Sequence, residues 1–359
     1  MYRLVVKNFG VLKDIDIVLN KTNLFIGNNG SGKSVLAKLI TIITSFNDYS
    51  DNFLEQFQRF DINFIKDDTL IEFFDIYTNE NILYIKNNKV NFSNKAQKTI
   101  KNINLTKKII DSFENPNSLN INIISKKFTS QYIPAERNLI SLLNQSISSL
   151  VVNEIPLPKP LMLFASNFEK AKKEIKELEL LDMKYISSNG VDKIYYDNDN
   201  YLPLENSSSG MQTALPMYLT VKYFNSKHSN IIIEEPEQNL YPKAQIDTIK
   251  FIVENSDNNL YLMTHSPYVL SILNILIFAY KSANTNDILK EKIEKTIPAS
   301  QHINPDDFSA YLIQNGKSTN IKGYTTGMIK QNVIDDISDK IDDDFSELME
   351  VYREFKDAK

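Results

Sequence analysis

Apolar and polar positions alternate loosely over residues 3–9 and again over Ile15–Leu19, which predicts two short strands joined by a turn. Asn23-Leu24-Phe25-Ile26 is a short apolar run that stops at Gly27. From Lys33 the spacing changes: Val35, Leu36, Leu39, Ile40 and Ile43 place one buried face on a helix. Strand, glycine-rich loop and helix therefore follow without a gap. Residues 45–125 are polar and rich in Asn and Lys, with short alternating pieces such as Ile82–Ile85, and predict an inserted, partly antiparallel lobe. Helical spacing returns from Leu139 to Val152, and Pro156–Pro160 predicts an exposed loop after it.

Phe168, Ala171, Ile175, Leu178 and Leu181 recur at steps of three and four, which predicts one helix of about five turns. Lys193–Tyr196, Asp197–Asn200 and Tyr201–Leu204 predict strand, turn and strand. Met211–Phe224 has helical spacing, with Pro216 expected to kink or confine that helix, because proline removes an N–H and crowds the preceding turn. Asn230–Ile233 and Asn259–Met263 are apolar runs of the kind buried in a parallel sheet. In the tail, Ile337, Ile341, Phe345, Leu348, Val351 and Phe355 predict an amphipathic helix with an acidic outer face. No internal repeat is visible. The pattern is that of an α/β chain with a mixed central sheet.

Composition narrows the chemistry. The 359 residues contain no cysteine, which excludes disulfides and thiolate metal sites, and the three histidines (His228, His265, His302) lie far apart in sequence. No apolar run approaches the ~20 residues of a membrane helix, and MYRLVVKNFG lacks the apolar core of a signal peptide. A cytoplasmic location and no membrane partner are expected. The formal net charge of −5 gives no global electrostatic case for nucleic acid, so DNA binding by the chain alone is expected to be weak.

The strongest motif is Gly27-Asn28-Asn29-Gly30-Ser31-Gly32-Lys33-Ser34, a full match to G-x-x-x-x-G-K-[ST]. Glycines let backbone N–H groups turn inward around phosphates, and the following helix N-terminus favours the anion. Lys33 can reach the β and γ phosphates and Ser34 can ligate Mg²⁺, so ATP and Mg are the expected ligands, with Val35 on the helix behind them. An ordinary Gly/Asn turn is the plain alternative, and the strand before and helix after argue against it.

Ile231-Ile232-Ile233-Glu234-Glu235-Pro236 is an apolar strand ending in paired acids. Beside a P-loop, Glu234 is assigned to the metal and Glu235 to the general base that polarises the attacking water. Ser207-Ser208-Ser209-Gly210-Met211-Gln212 opens a helix. Alone it is a Ser-rich capping loop. Leu262-Met263-Thr264-His265-Ser266-Pro267 is a second apolar strand, ending in a histidine.

In that order the four motifs resemble the P-loop, signature, paired acids and switch histidine of ABC-type ATPases. The resemblance implies that Ser208 and Gly210 act on nucleotide held by a second copy and that His265 senses the γ-phosphate. Glu234–Pro242 (EEPEQNLYP) looks like a stretch of OLD-like and RecF/SMC-like members, and Tyr132-Ile133-Pro134-Ala135-Glu136-Arg137 and Phe308–Gly316 are similar to segments of the stand-alone ones. The implied architecture is one ABC-type domain over residues 1–359, with an inserted lobe at 45–125, a helical insertion at 139–184 and a C-terminal helix at 330–359. The implied activity is ATP hydrolysis in a homo-oligomer that controls a separately encoded effector, in anti-phage defence or genome maintenance.

Several departures bear on this reading. Glu234 stands where ABC proteins commonly have Asp, and the signature lacks its leading Leu and second-position Gly. Gln131 and Glu136 remain alternatives for the Q-loop role at the metal. A poorly hydrolysing nucleotide-gated scaffold and an ATP-dependent DNA clamp are the competing functions. A Toprim nuclease is disfavoured, because only about ninety residues follow His265. Asp306, Asp307, Asp335, Asp336 and Asp342–Asp344 read as solvated acids.

Overall fold

The computed structural model describes residues 1–45, 53–93, 96, 129–143, 156–330 and 348–349. Two antiparallel strands, β1 (Tyr2–Phe9) and β2 (Leu12–Leu19), lead into β3 (Thr22–Ile26) and helix α1 (Lys33–Thr44). A short helix α2 (Glu55–Arg59) precedes the strands β4 (Leu70–Asp75), β5 (Glu80–Lys86) and β6 (Lys89–Phe92). These strands lie within the stretch of residues 45–125, and they do not form a sheet of their own. β4 pairs antiparallel with β1, from Tyr2 opposite Asp75 to Lys7 opposite Leu70, and so widens the main sheet.

Strand β7 (Ser130–Ile133) and helices α3 (Asn138–Leu142) and α4 (Lys159–Glu174) come next. They are followed by a small antiparallel sheet of β8 (Glu177–Leu180), β9 (Met183–Ser188), β10 (Val191–Tyr195) and β11 (Tyr201–Pro203). Helix α5 (Ser209–Asn225) leads to β12 (Asn230–Glu234), α6 (Pro242–Glu254), β13 (Leu260–Thr264), α7 (Pro267–Ala283), α8 (Asp287–Glu294) and the hairpin β14 (Phe308–Gln314) and β15 (Lys317–Asn320). The main sheet has 11 strands in the order β6-β5-β4-β1-β2-β15-β14-β3-β13-β12-β7. β14, β3, β13, β12 and β7 run parallel, while β6 to β2 run antiparallel.

The parallel strands are covered on both sides, and their period of two shows which side each residue serves. Leu24, Ile231, Ile233, Leu260 and Leu262 enter the core under α4, α5, α6 and α7. Phe25, Ile232, Tyr261 and Met263 enter the other core, with α1. Fully burying a side chain such as Phe164 or Phe168 of α4 (each 0% exposed) contributes about 1.5–3 kcal/mol. The small sheet is tied to α4 by Asp192, which accepts from Lys172 Nζ at 3.0 Å and from the Tyr185 hydroxyl at 2.8 Å. No helix among the described residues is long and apolar enough to cross a membrane.

Two local expectations are corrected. The helix through Phe168 and Ala171 ends at Glu174 and does not reach Leu181. Leu178 and Leu180 are buried while Glu177 and Glu179 are exposed, a period of two that belongs to β8. Leu181 and Asp182 form the left-handed turn of the β8–β9 hairpin, with φ of 51 and 61°. The loop expected over Pro156–Pro160 stops at Pro158, and Pro160 sits in the first turn of α4, where a missing N–H breaks no helical bond.

Pro216 does not interrupt α5, which runs unbroken from Ser209 to Asn225. The carbonyl it deprives of a helical donor is that of Gln212, and the Ser141 hydroxyl of α3 donates to that oxygen at 2.7 Å. An outside donor replaces the missing rung, so the proline is tolerated. Residues 144–152 of the expected Leu139–Val152 helix lie outside the described residues. So does the amphipathic tail, apart from Leu348 and Met349.

Candidate functional site

β3, β13 and β12 are neighbours in the sheet, with Ile26 opposite Thr264 and Met263 opposite Glu234. Their carboxyl ends therefore reach the same edge together. The glycine-rich loop, His265 and Glu235 all emerge there, at the edge where open α/β sheets receive ligands.

The loop is shaped by its glycines. Gly30 and Gly32 have φ of 73 and 104°, and a Cβ on Gly27 would run into the carbonyl of Ile313 and the hydroxyl of Ser31. Gly32 caps α1, whose first-turn N–H groups have no partner within the helix. Asn28, Asn29 and Gly30 are exposed, and Val35 packs against the α1 core. Lys33 is only 8% exposed, and its Nζ donates to the carbonyls of Gly27 at 2.5 Å and Asn28 at 3.1 Å. Burial lowers its pKa, opposed by the charges of Glu235, Glu234 and Glu237.

Glu234 is 5% exposed. Its Oε2 accepts from the Ser34 hydroxyl at 2.7 Å and its Oε1 from the Tyr132 hydroxyl at 2.6 Å. Burial raises the pKa of this carboxyl, and those two hydrogen bonds act in the opposite direction. Glu235 has a left-handed backbone, with φ of 45°, uncommon for a residue with a Cβ. Its N–H donates to the Met263 carbonyl at 2.8 Å. Its Oε1 lies 3.7 Å from Nε2 of His265, and both side chains are partly exposed.

Glu237 is buried behind that pair. Its Oε1 accepts from the Thr264 hydroxyl at 2.7 Å and from the His265 N–H at 3.1 Å, which fixes where the histidine leaves β13. Lys33, Ser34, Glu234, Glu235 and His265 are thus gathered at one edge.

Ser208 and Gly210 make no hydrogen bond to the Gly27–Ser34 loop among the described residues. The Ser208 hydroxyl caps α5 by accepting from Met211 N at 3.4 Å, the ordinary capping role of a serine at this position. The Ser208 side chain is nevertheless exposed. A Cβ on Gly210 would sit 3.1 Å from the carbonyl oxygen of Asn239. Gln212 is buried and donates to the carbonyls of Glu205 and Ser207, which folds the serine loop onto the helix.

Neither Q-loop alternative hydrogen-bonds to Glu234 among the described residues, although the charge of Glu136 acts on that carboxyl. Gln131 accepts from Asn167 at 2.7 Å, and Glu136 lies in the 3₁₀ turn Ala135–Arg137. Tyr132, between them in sequence, holds the carboxylate. Tyr132, Arg137 and Glu237 were not singled out as site residues by sequence reasoning. All three lie inside segments marked by resemblance, Tyr132–Arg137 and Glu234–Pro242, but nothing local in either segment assigns them a role.

Two suitable features fit a nucleotide phosphate. The Ser31 hydroxyl is buried with no hydrogen-bond partner, and a Cβ on Gly30 would meet nothing within 4 Å. The strand bearing the P-loop is separated from the strand bearing the paired acids by β13 alone, and this mixed sheet with its P-loop has the fold of the ABC/AAA-type ATPases. The chain belongs to the family described as "AAA domain, putative AbiEii toxin, Type IV TA system", whose model matches residues 23–271.

No curated protein matches the chain. Similar solved structures include an SMC head bound to the C-winged helix domain of ScpA, at 14% identity over 89% of this chain and 96% of that one, with a TM-score of 0.37. The SMC head domain from Thermotoga maritima is 14% identical over 89% and 97%, with a TM-score of 0.38. A Smc head with an extended coiled coil, bound to the C-terminal domain of ScpA derived from Pyrococcus furiosus, is 13% identical over 89% and 96%, with a TM-score of 0.34.

Proposed function

We propose that the chain binds Mg-ATP at Gly27–Ser34 and hydrolyses it between two copies of itself, and that this nucleotide-driven assembly controls a separately encoded partner. The observation that carries the reading is the convergence of Lys33, Ser34, Glu234, Glu235 and His265 at the carboxyl ends of three adjacent strands. Lys33 already lies folded onto the loop carbonyls, where its ammonium is poised to exchange them for phosphate oxygens. Ser34 and Glu234 fit Mg²⁺, offering a hydroxyl and a carboxylate that share one hydrogen bond. Bound there, the ion would neutralise phosphate charge and help orient the γ-phosphoryl group.

Glu235 is the residue suited to take the proton of the attacking water. It is partly exposed, unlike Glu234, and is not engaged by Ser34 or Tyr132. His265, 3.7 Å from it, is suited to contact the γ-phosphate from the neighbouring strand. Ser208, exposed at the head of α5, and Gly210, packed against the Asn239 carbonyl, would serve a second copy's nucleotide.

The Tyr132–Arg137 and Glu234–Pro242 stretches support an OLD-like, RecF/SMC-like placement, and the family's toxin description supports a defence role over genome maintenance. A second reading, a nucleotide-gated scaffold with little turnover, is favoured by one observation: the Ser208 hydroxyl is committed to the cap of its own helix. Steady-state phosphate release by the purified protein, with and without DNA, separates the two. Turnover abolished by Glu235→Gln supports the ATPase, whereas nucleotide binding and assembly without phosphate release supports the scaffold.

A further inference from the structure

Arg137 is the largest fully buried side chain of the chain's described core, 0% exposed, and it forms no ion pair among the described residues. Its partners are four backbone carbonyls on three segments. Nε donates to Thr213 at 3.2 Å, Nη1 to Pro134 at 3.0 Å and to Glu234 at 2.7 Å, and Nη2 to Glu235 at 2.6 Å. Burial lowers its pKa to about 10, so the guanidinium remains charged at neutral pH, helped by the nearby carboxylates of Glu237, Glu235, Glu234 and Glu136. A buried cation without a carboxylate partner is costly to maintain, and a hydrophobic residue of the same volume would often be the cheaper filler. A fork of donors across three segments is the one thing that residue could not supply.

The segments joined are the ones that carry the reaction. Thr213 is the fifth residue of α5, three positions after Gly210. Glu234 and Glu235 are the paired acids, and the Glu235 peptide is the one held in a left-handed conformation. A second link runs beside the first: Asn239, in the turn after the acids, donates to the Thr213 hydroxyl at 3.0 Å, and its carbonyl faces Gly210. The Gln212 carbonyl left over by Pro216 is taken by Ser141, four residues beyond Arg137. Two successive carbonyls of the α5 head are therefore held by the segment that follows β7.

We propose that Arg137 is a positioning residue that fixes the Glu235 peptide to the head of α5, so that the general base and the Ser208–Gly210 loop of one chain move as a unit. The proposal rests on the assignment of Glu235 as general base. Removing the fork releases Glu235 while leaving the P-loop, on the other side of β13, in place.

Arg137→Met keeps the volume and removes the donors, and Arg137→Lys keeps the charge without the fork. Both are expected to bind a fluorescent ATP analogue within about threefold of the wild-type affinity and to lose tenfold or more in kcat. Hydrogen exchange without nucleotide supplies a readout independent of activity. In Arg137→Met, peptides covering 209–217 and 235–240 should both exchange at least tenfold faster, with residues 33–44 unchanged. Thr213→Val, which removes the Asn239 link together with the bond from the Thr213 hydroxyl to the Ser209 carbonyl within α5, should still accelerate both peptides, in weaker form, and covers the case in which an Arg137 variant does not fold. Wild-type kcat in Arg137→Lys, acceleration spread evenly over the chain, or acceleration at one of the two peptides alone would overturn the proposal. Absence of turnover in the wild-type protein would instead strike the ATPase reading, and the exchange pattern would still decide whether Arg137 joins the two segments.

Discussion

The Tyr132 hydroxyl donates to Oε1 of Glu234 at 2.6 Å, on the oxygen that the Ser34 hydroxyl leaves free. Tyr132 is 7% exposed, and the strand that carries it, β7, pairs with the strand that carries the acid, with Tyr132 opposite Ile232. A buried carboxylate needs its lone pairs occupied, and this phenol occupies one of them. Tyr132→Phe removes a charge-assisted hydrogen bond, typically about 1.5–3 kcal/mol for a bond to a charged group. The expected result is a Mg²⁺ requirement for nucleotide binding that shifts several-fold to higher Mg²⁺, with Mg²⁺-free nucleotide binding little changed. A Mg²⁺ titration of fluorescent ATP-analogue binding reads it directly, and an unaltered titration would remove Tyr132 from the site.

Glu234 and Glu235 are neighbours in sequence with opposite surroundings, and their amide variants should differ accordingly. Glu235→Gln is expected to retain ATP and Mg²⁺ and to lose at least a hundredfold in turnover, the lower end of what a general base contributes at about 10²–10⁴. Glu234→Gln should instead impair Mg²⁺-dependent binding, because an amide cannot supply the anionic oxygen that now faces Ser34. Binding and phosphate release measured side by side decide it. Swapped phenotypes would mean that the acid pair is assigned one residue out of register.

Much of the fold was legible because its determinants are local. The runs at Asn23–Ile26, Asn230–Ile233 and Asn259–Met263 carry the continuous hydrophobicity of strands buried on both faces, and each became a parallel strand of the central sheet. The P-loop was legible for the same reason, since eight consecutive residues carry it. The helix projected to Leu181 failed because steps of three and four also fit a helix end followed by a strand, and the Leu181–Asp182 turn carries no glycine to mark it. Tyr132, Arg137 and Glu237 were illegible as site residues because their roles depend on pairing across the sheet. Tyr132 meets Glu234 only through the β7–β12 register, and Arg137 meets Thr213 across 76 positions of sequence. Pro216 was read correctly as an oddity, but its consequence needed the position of Ser141.

DNA binding by the isolated chain is expected to be weak. The formal net charge is −5, and the sequence contains no dense basic run to offset it. Non-specific association depends on phosphate neutralisation and collapses as salt displaces it, so any binding seen at low salt should vanish by roughly 200 mM. Filter binding or anisotropy across a salt series, with and without ATP, is the measurement. Tight binding that persists through that range would reveal a local basic groove that the overall charge conceals.

The final prediction is that the active unit is a head-to-tail pair with Ser208 and Gly210 acting in trans. The chain has one P-loop and one serine loop, and those two make no hydrogen bond to each other among the described residues. Ser208 is exposed at the start of a 17-residue helix, where dipole and free N–H groups favour an anion brought from outside. ATP should therefore promote self-association, most visibly in Glu235→Gln, where the closed pair cannot discharge by hydrolysis. Lys33→Ala should lose ATP binding, because it removes the cation at the loop, yet it keeps an intact serine loop. Gly210→Arg keeps an intact P-loop, but its new Cβ lies 3.1 Å from the Asn239 carbonyl and presses on the turn after the acids. Ser208→Arg, at an exposed position, gives up the α5 cap but does not press on the Asn239 carbonyl, and should behave in the same way. Each variant alone is expected to be inactive, and a mixture of Lys33→Ala with either arginine variant should regain part of the wild-type turnover through the one complete site in each mixed pair. Activity in Ser208→Arg or Gly210→Arg alone would show that the serine loop is dispensable. No recovery despite mixed assemblies seen by native mass spectrometry would show that the two loops do not complete one another across the pair.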